Sequence, residues 1–139
     1  MTAIEPRLLL CHKHRTSARL HFLRFAHGVL GFSPLPAGMR IVAARAAGTV
    51  AIHPAAWVHQ AEVTLKLDPH SLVSEPDFHA AARSAQGEIP ILLACFTALD
   101  LPQASATRLG ARWQLITEAK DLPDAEREIL RLGYEFLIG

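Results

Sequence analysis

Apolar and polar positions change their period several times along this chain, and each change marks a segment. Arg7 to Cys11 is a short apolar run that reads as a buried strand. Thr16 and Ser17 are helix N-cap types, so a helix is predicted from Ser17 to about Leu30, ending near Gly28 or Gly31. At about 100° per residue, Ala18, Phe22, Leu23, Phe25 and Ala26 gather on one side of it. Ser17, His21, Arg24 and His27 gather on the other, while Arg19 and Leu20 fit neither side. Ser33-Pro34-Leu35-Pro36-Ala37-Gly38 is the one linker-like stretch, read as a loop inside a single domain of residues 1–139 rather than as a boundary.

Beyond that loop, Arg40 to Arg45 and Thr49 to His53 flank Ala46-Ala47-Gly48 and suggest a hairpin. Glu62 to Leu67 alternates strictly, which predicts a strand with one wet face. Ser74-Glu75-Pro76 opens a second predicted helix that Gly87 closes, with Phe78, Ala81, Ala82 and Ala85 facing inward. Ile89 to Thr97 is apolar on both faces and is expected at the centre of a sheet. A short helical turn over Gln103 to Leu109 precedes a strand on which Ala111, Trp113 and Leu115 alternate with Arg112 and Gln114. Asp121-Leu122-Pro123-Asp124 is the clearest helix start, followed by Ala125, Ile129, Leu132 and Phe136 at helical spacing. The order predicts an α+β domain: a mixed sheet of about five or six strands with three or four helices packed on it.

With 139 residues, 50% of them hydrophobic and 19% charged, the chain belongs with globular domains and not with disordered ones. Its most apolar stretch, Ile91 to Phe96, is too short to span a bilayer, so no membrane association is expected. The acid-containing lead before Leu8-Leu9-Leu10 is not a secretory signal, and Leu10 is too large to precede a lipoprotein cysteine at Cys11. Two cysteines, each in an apolar run, read as reduced, partly buried thiols of a cytoplasmic protein. A bond between Cys11 and Cys95 would need their strands to be neighbours.

Charge is segregated. Residues 1–61 hold seven Lys/Arg against Glu5 alone, a net of +6, and residues 62–139 hold seven against twelve acids, a net of −5. Six of the eight histidines also fall in the basic half. Such a field either draws an anion to the first half or clamps the two halves together. Cys11-His12-Lys13-His14-Arg15-Thr16-Ser17, read as a strand-to-helix loop, would offer unpaired amides, cations and hydroxyls to an anion. Lys13, His14, Arg15, Ser17, His21 and Arg24 are therefore the candidate ligand-binding residues, for a phosphate- or carboxylate-bearing small molecule or an acidic protein surface. The alternatives are a small enzyme with His14 or His21 as general base, and an accessory protein that acts only within a complex.

Sharper motifs fail on spacing. A cysteine phosphatase loop needs arginine six residues after its cysteine, where this chain has Ser17. His14-Arg15-Thr16 is a single copy of a motif that two-histidine phosphoesterases need twice, and Gly28-Val29-Leu30-Gly31 lacks the Lys-Ser/Thr of a phosphate loop. His12 and His14 would share a face on a strand, with His53 or His59 as a distant third ligand, yet no acid lies near and Lys13 and Arg15 repel a dication. No metal and no cofactor is expected, and Cys95 reads as core rather than nucleophile. Nucleic acid is disfavoured too, since the isoelectric point is about 7.9 and few aromatics (Phe22, Phe25, Phe32, Trp57) accompany the charge. Asp121, Asp124, Glu126 and Glu128 form an acidic patch that could meet the basic unit of the same chain or of a second copy in a homo-oligomer.

Overall fold

The two most apolar runs of the chain lie side by side at the centre of one sheet. In the computed structural model, which describes residues 6–31, 33–43 and 54–139, β1 (Arg7–Lys13) pairs in parallel with the strand Gly87–Phe96, Leu8 facing Leu92 and Cys11 facing Cys95. Around this pair lie β2 (Leu20–Arg24), β3 (Leu30–Gly31), β4 (Arg40–Ala43), β5 (Leu72–Ser74), β6 (Ala80–Ser84), β7 (the Gly87–Phe96 strand) and β8 (Arg112–Leu115). The main order is β4-β6-β7-β1-β2-β8, with β3 on β1 and β5 on β7, and every pairing except β1–β7 is antiparallel.

Helices cover both faces. α3 (Asp124–Ile138) sets Ile129 and Leu130 onto Leu9, Cys11, Phe22, Leu93 and Cys95. α1 (Pro54–Thr64) and α2 (Gln103–Arg108) bring Val58, Ala61 and Ala106 to Leu8, Leu10, Leu23, Leu92 and Phe96. This double cover is why Leu8–Cys11 and Ile91–Phe96 read as unbroken apolar runs rather than as alternation. α3 approaches closely at Gly133, where a Cβ would sit 3.1 Å from Leu9 and 3.5 Å from Phe22. The fold is thus one α+β domain with, among the described residues, three α-helices on a mixed sheet. The eight strands among the described residues exceed the expected number because β3 and β5 are very short. The Ser33–Gly38 stretch is a loop between β3 and β4.

Three predicted elements are corrected. Ser17 to Leu30 is not a helix: the chain leaves β1 through a turn at His14–Arg19 and returns as β2, with Cys11 opposite Phe22 and Lys13 opposite Leu20. Because β2 lies between β1 and β8 with both faces covered, Leu20, Phe22 and Leu23 are all buried, and their spacing imitates a helical stripe. The Leu20 that fitted neither side of the proposed helix is a core residue of the strand. Glu62 to Leu67 is not a strand but the end of α1 and its cap. Lys66 N–H donates to Val63 O and Leu67 N–H to Glu62 O, with Lys66 at φ 57°, a Schellman closure without glycine. Glu62 is buried and accepts from Leu72 N–H at 2.9 Å.

Ser74 to Gly87 is likewise not a helix. Ala80, Ala81 and Ala82 form β6, clamped between β4 and β7 and buried. Tertiary pairing here outweighs the helical preference of alanine, worth only a few tenths of a kcal/mol per residue. Of the expected Arg40–His53 hairpin, Arg40–Ala43 forms β4, which pairs with β6, and the remainder lies outside the described residues. The central strand, the α2 turn, β8 and α3 stand where the pattern placed them.

After β2 a two-residue turn, Ala26-His27, is closed by reciprocal hydrogen bonds between Phe25 and Gly28. Gly28 has φ 140°, a Cβ there would run into the Glu126 carboxylate, and that carboxylate accepts from Val29 N–H at 2.7 Å. Replacing Gly28 with alanine should therefore lower stability by about 1–3 kcal/mol in urea unfolding. A Gly28→Ala variant as stable as the wild type would mean that this contact with α3 does not form.

Candidate functional site

The basic residues singled out above are split by the fold into three environments. At the tip of the β1–β2 hairpin, His14 N–H donates to Arg19 O at 2.9 Å and closes the turn. Inside it the His14 Nδ1 accepts from the Ser17 hydroxyl at 3.1 Å and from Thr16 N–H at 3.4 Å, while Arg19 N–H donates to Ser17 Oγ at 3.4 Å. A backbone donor at Nδ1 assigns the neutral ring its proton on Nε2. Arg15, Thr16, Ser17, Ala18 and Arg19 are exposed. The tip is thus a tied turn, not a flexible connection, and it presents cations and hydroxyls together.

Because no helix follows, the amide-lined anion cradle expected at a helix N-terminus does not form here. Any anion would instead meet side chains, chiefly guanidinium and hydroxyl groups. Arg19, which falls outside the helical pattern, belongs to the same turn as Arg15 and closes it through its carbonyl.

Two of the candidate cations are occupied by the rest of the chain. Lys13 Nζ donates to Leu137 O at 2.9 Å, on the carbonyl-rich end of α3 where a cation is favoured. Arg24 forks onto Asp121, Nη1 to Oδ1 at 2.9 Å and Nη2 to Oδ2 at 2.7 Å, and Nη1 also donates to Gln114 Oε1 at 3.0 Å. This fork is the reason Asp121 is held down to about 2, below its ordinary carboxyl value, with Arg112 adding a smaller pull. Arg24 itself is raised by the same bond.

His21 lies across from His12 on the helix α1–α2 side of the sheet, away from Arg24. Its pKa is lowered, first by partial burial, then by His12 and by Arg19, with Glu118 opposing. His12 is buried, its Nε2 2.9 Å from Ala98 O, and it meets Trp113 edge-on at 6.2 Å. The two-apart His12/His14 pair does not share a strand face, since β1 ends at Lys13 and His14 belongs to the turn. Among the described residues no three His, Cys, Asp or Glu side chains gather as a metal set.

The acids of the second half are largely engaged locally. Asp124 pairs with Arg127 at 3.6 Å, Glu128 and Glu135 both pair with Arg131, and Glu88 pairs with Arg83 at 3.0 Å. Glu126 and Glu118 accept from the Val29 and Leu115 amides. Among the described residues Arg24–Asp121 is the one Arg/Lys–carboxylate pair joining the basic half to the acidic half, and neither Arg15 nor Arg19 has an ion-pair partner. Among the described residues, the charge segregation therefore survives folding at the hairpin tip and is offset by the Arg24–Asp121 pair at the far end of β2.

The Arg24–Asp121 fork gives a pH signature. Asp121 has a folded value depressed below its ordinary 3.8, so its contribution is present above that value and is lost as pH falls toward 2. The stability gap between the wild type and Asp121→Asn, followed by thermal unfolding, should be constant above pH 5 and close between pH 4 and pH 2. A gap that persists unchanged at pH 2 would show that the fork does not carry it.

Comparison of the chain with protein-family models and with curated proteins finds no match.

Proposed function

We propose that the protein is a binding module that takes a phosphate- or carboxylate-bearing ligand, small or displayed on an acidic protein surface, at the tip of the β1–β2 hairpin. The observation that carries this reading is the pair Arg15 and Arg19, exposed and without an ion pair among the described residues, flanking a turn held in shape by His14. Ser17 and Thr16 supply hydroxyls in the same turn as Arg15 and Arg19, a combination suited to oxyanions. Lys13 and Arg24 contribute from the base: their contacts with Leu137 O and Asp121 anchor the strands that present the tip. His21, on the α1–α2 side of the sheet, lies outside the proposed contact. The free thiols Cys11 and Cys95 support a cytoplasmic setting for this activity.

A second reading, a small enzyme on an anionic metabolite, draws support from the 3.1 Å contact between the Ser17 hydroxyl and His14 Nδ1, a hydroxyl and base within hydrogen-bond reach. It would require His14→Ala to abolish turnover of an aryl phosphate or ester while leaving anion binding by Arg15 and Arg19 in place.

For the binding reading, inorganic phosphate, sulfate and polyphosphate should each raise the melting temperature at low ionic strength. The effect should fade as salt is added, because exposed charges are screened over about 10 Å at 0.1 M. The double variant Arg15→Ala/Arg19→Ala should weaken binding about tenfold or more, from two lost charge-assisted contacts. Arg40→Ala, a cation on the far edge strand, should leave it unchanged. Equal stabilisation of the double variant and the wild type would remove the tip from the binding site.

A further inference from the structure

The chain has two cysteines, 84 positions apart, and the fold brings them together. Cys11 on β1 and Cys95 on β7 are register partners on the parallel central strands, with their sulfurs 2.9 Å apart on the face that α3 covers. Adjacent strands lie about 4.8 Å apart, within the Cα separation that a disulfide spans, so the sulfurs can bond without moving the backbone. We propose that Cys11 and Cys95 form a redox-active dithiol, closed to an intramolecular disulfide by a peroxide. This goes beyond the anion-binding reading and stands or falls separately from it.

The two thiols are not equivalent, and the difference sets the order of events. Cys11 is fully buried, its Sγ 3.5 Å from Ala94 O, and burial pushes its pKa up. Cys95 keeps 9% of its surface exposed. On the side away from Cys11 its neighbour is Val73 of the short strand β5, which is itself 49% exposed. A small oxidant therefore reaches Cys95 first, from the side of the exposed Val73.

The Cys95 thiol gives up its proton and its sulfur attacks hydrogen peroxide; the O–O bond breaks, the first water leaves and a sulfenic acid forms. The Cys11 sulfur then attacks the sulfenic sulfur, its own proton leaves with the hydroxyl as the second water, and the S–S bond closes. Two thiols are oxidised by two electrons and one peroxide is reduced to two waters. The new bond joins the two central strands across a long loop, so the oxidised protein should also resist unfolding better than the reduced one.

The test uses the whole chain. Folded protein is treated with hydrogen peroxide, quenched, unfolded in an alkylating reagent and weighed by mass spectrometry. The expected product is a monomer lighter by two hydrogen atoms, with neither cysteine alkylated, restored by dithiothreitol and melting several degrees higher than the reduced form. In Cys11→Ala the same treatment should leave a sulfenic acid on Cys95 that dimedone traps, whereas in Cys95→Ala the remaining Cys11 should stay alkylatable. The proposal is overturned if the folded wild type keeps two alkylatable thiols at peroxide levels that consume a free small thiol. It is overturned equally if the bond forms only in urea or only between chains. Anion binding by Arg15 and Arg19 is read in a separate assay, so neither result stands in for the other.

Discussion

The structure depends on the parallel pairing of β1 with β7. These strands are distant in sequence, and they bury more residues than any other described strand of the sheet. Their apolar side chains need cover on both faces, since a strand buried on one side only would leave Leu8 and Leu10, or Leu9 and Leu93, in water. α3 supplies one cover and α1 with α2 the other. A parallel pair also needs a long crossover, and everything from the hairpin tip through α1 and β6 is threaded between its two members. The close approach at Gly133 and the Glu126 contact at Gly28 follow from seating α3 on this pair.

The same pairing fixes what the charged residues can do. Once β1 is central, β2 must follow beside it, and the residues between them are carried to the end of the sheet as a turn. Lys13, beside that turn, reaches Leu137 O on α3, and Arg24, at the far end of β2, reaches Asp121 on the approach to α3. Arg15 and Arg19, at the tip, lie beyond that reach. The unequal compensation thus follows from which cations the fold brings to α3 and its approach. In the low-dielectric interior an uncompensated guanidinium would be costly, whereas at a solvated tip it is tolerated.

Some elements were legible from residues alone. Asp121-Leu122-Pro123-Asp124 announces α3 because capping acids and an early proline act locally, whatever the rest of the chain does. The run at Ile89–Thr97 and the alternation at Ala111–Leu115 likewise point to β7 and β8. The basic charge of residues 13–19 is legible in the sequence, but a helix N-terminus is expected where the chain makes a hairpin turn. Arg19 fits no helical face because the segment is not a helix. Glu62, expected on the wet face of a strand, is instead the buried acceptor for the Leu72 amide.

What the residues determined unaided was the set of positions that must be buried and the places where local capping or alternation leaves one solution. That includes the central strands, the C-terminal helix, the α+β class and the segregation of charge, because each depends on neighbours a few positions away. The tertiary structure alone decided the segments whose burial has no clear period. Leu20 to Leu23 and Ala80 to Ala82 become strands because neighbouring strands pair along both their edges, and a weak helical preference cannot compete with a full ladder. It also decided which distant groups meet: Arg24 with Asp121, and Cys11 with Cys95. No local rule can pair residues separated by more than eighty positions, since their meeting follows from how the intervening chain packs.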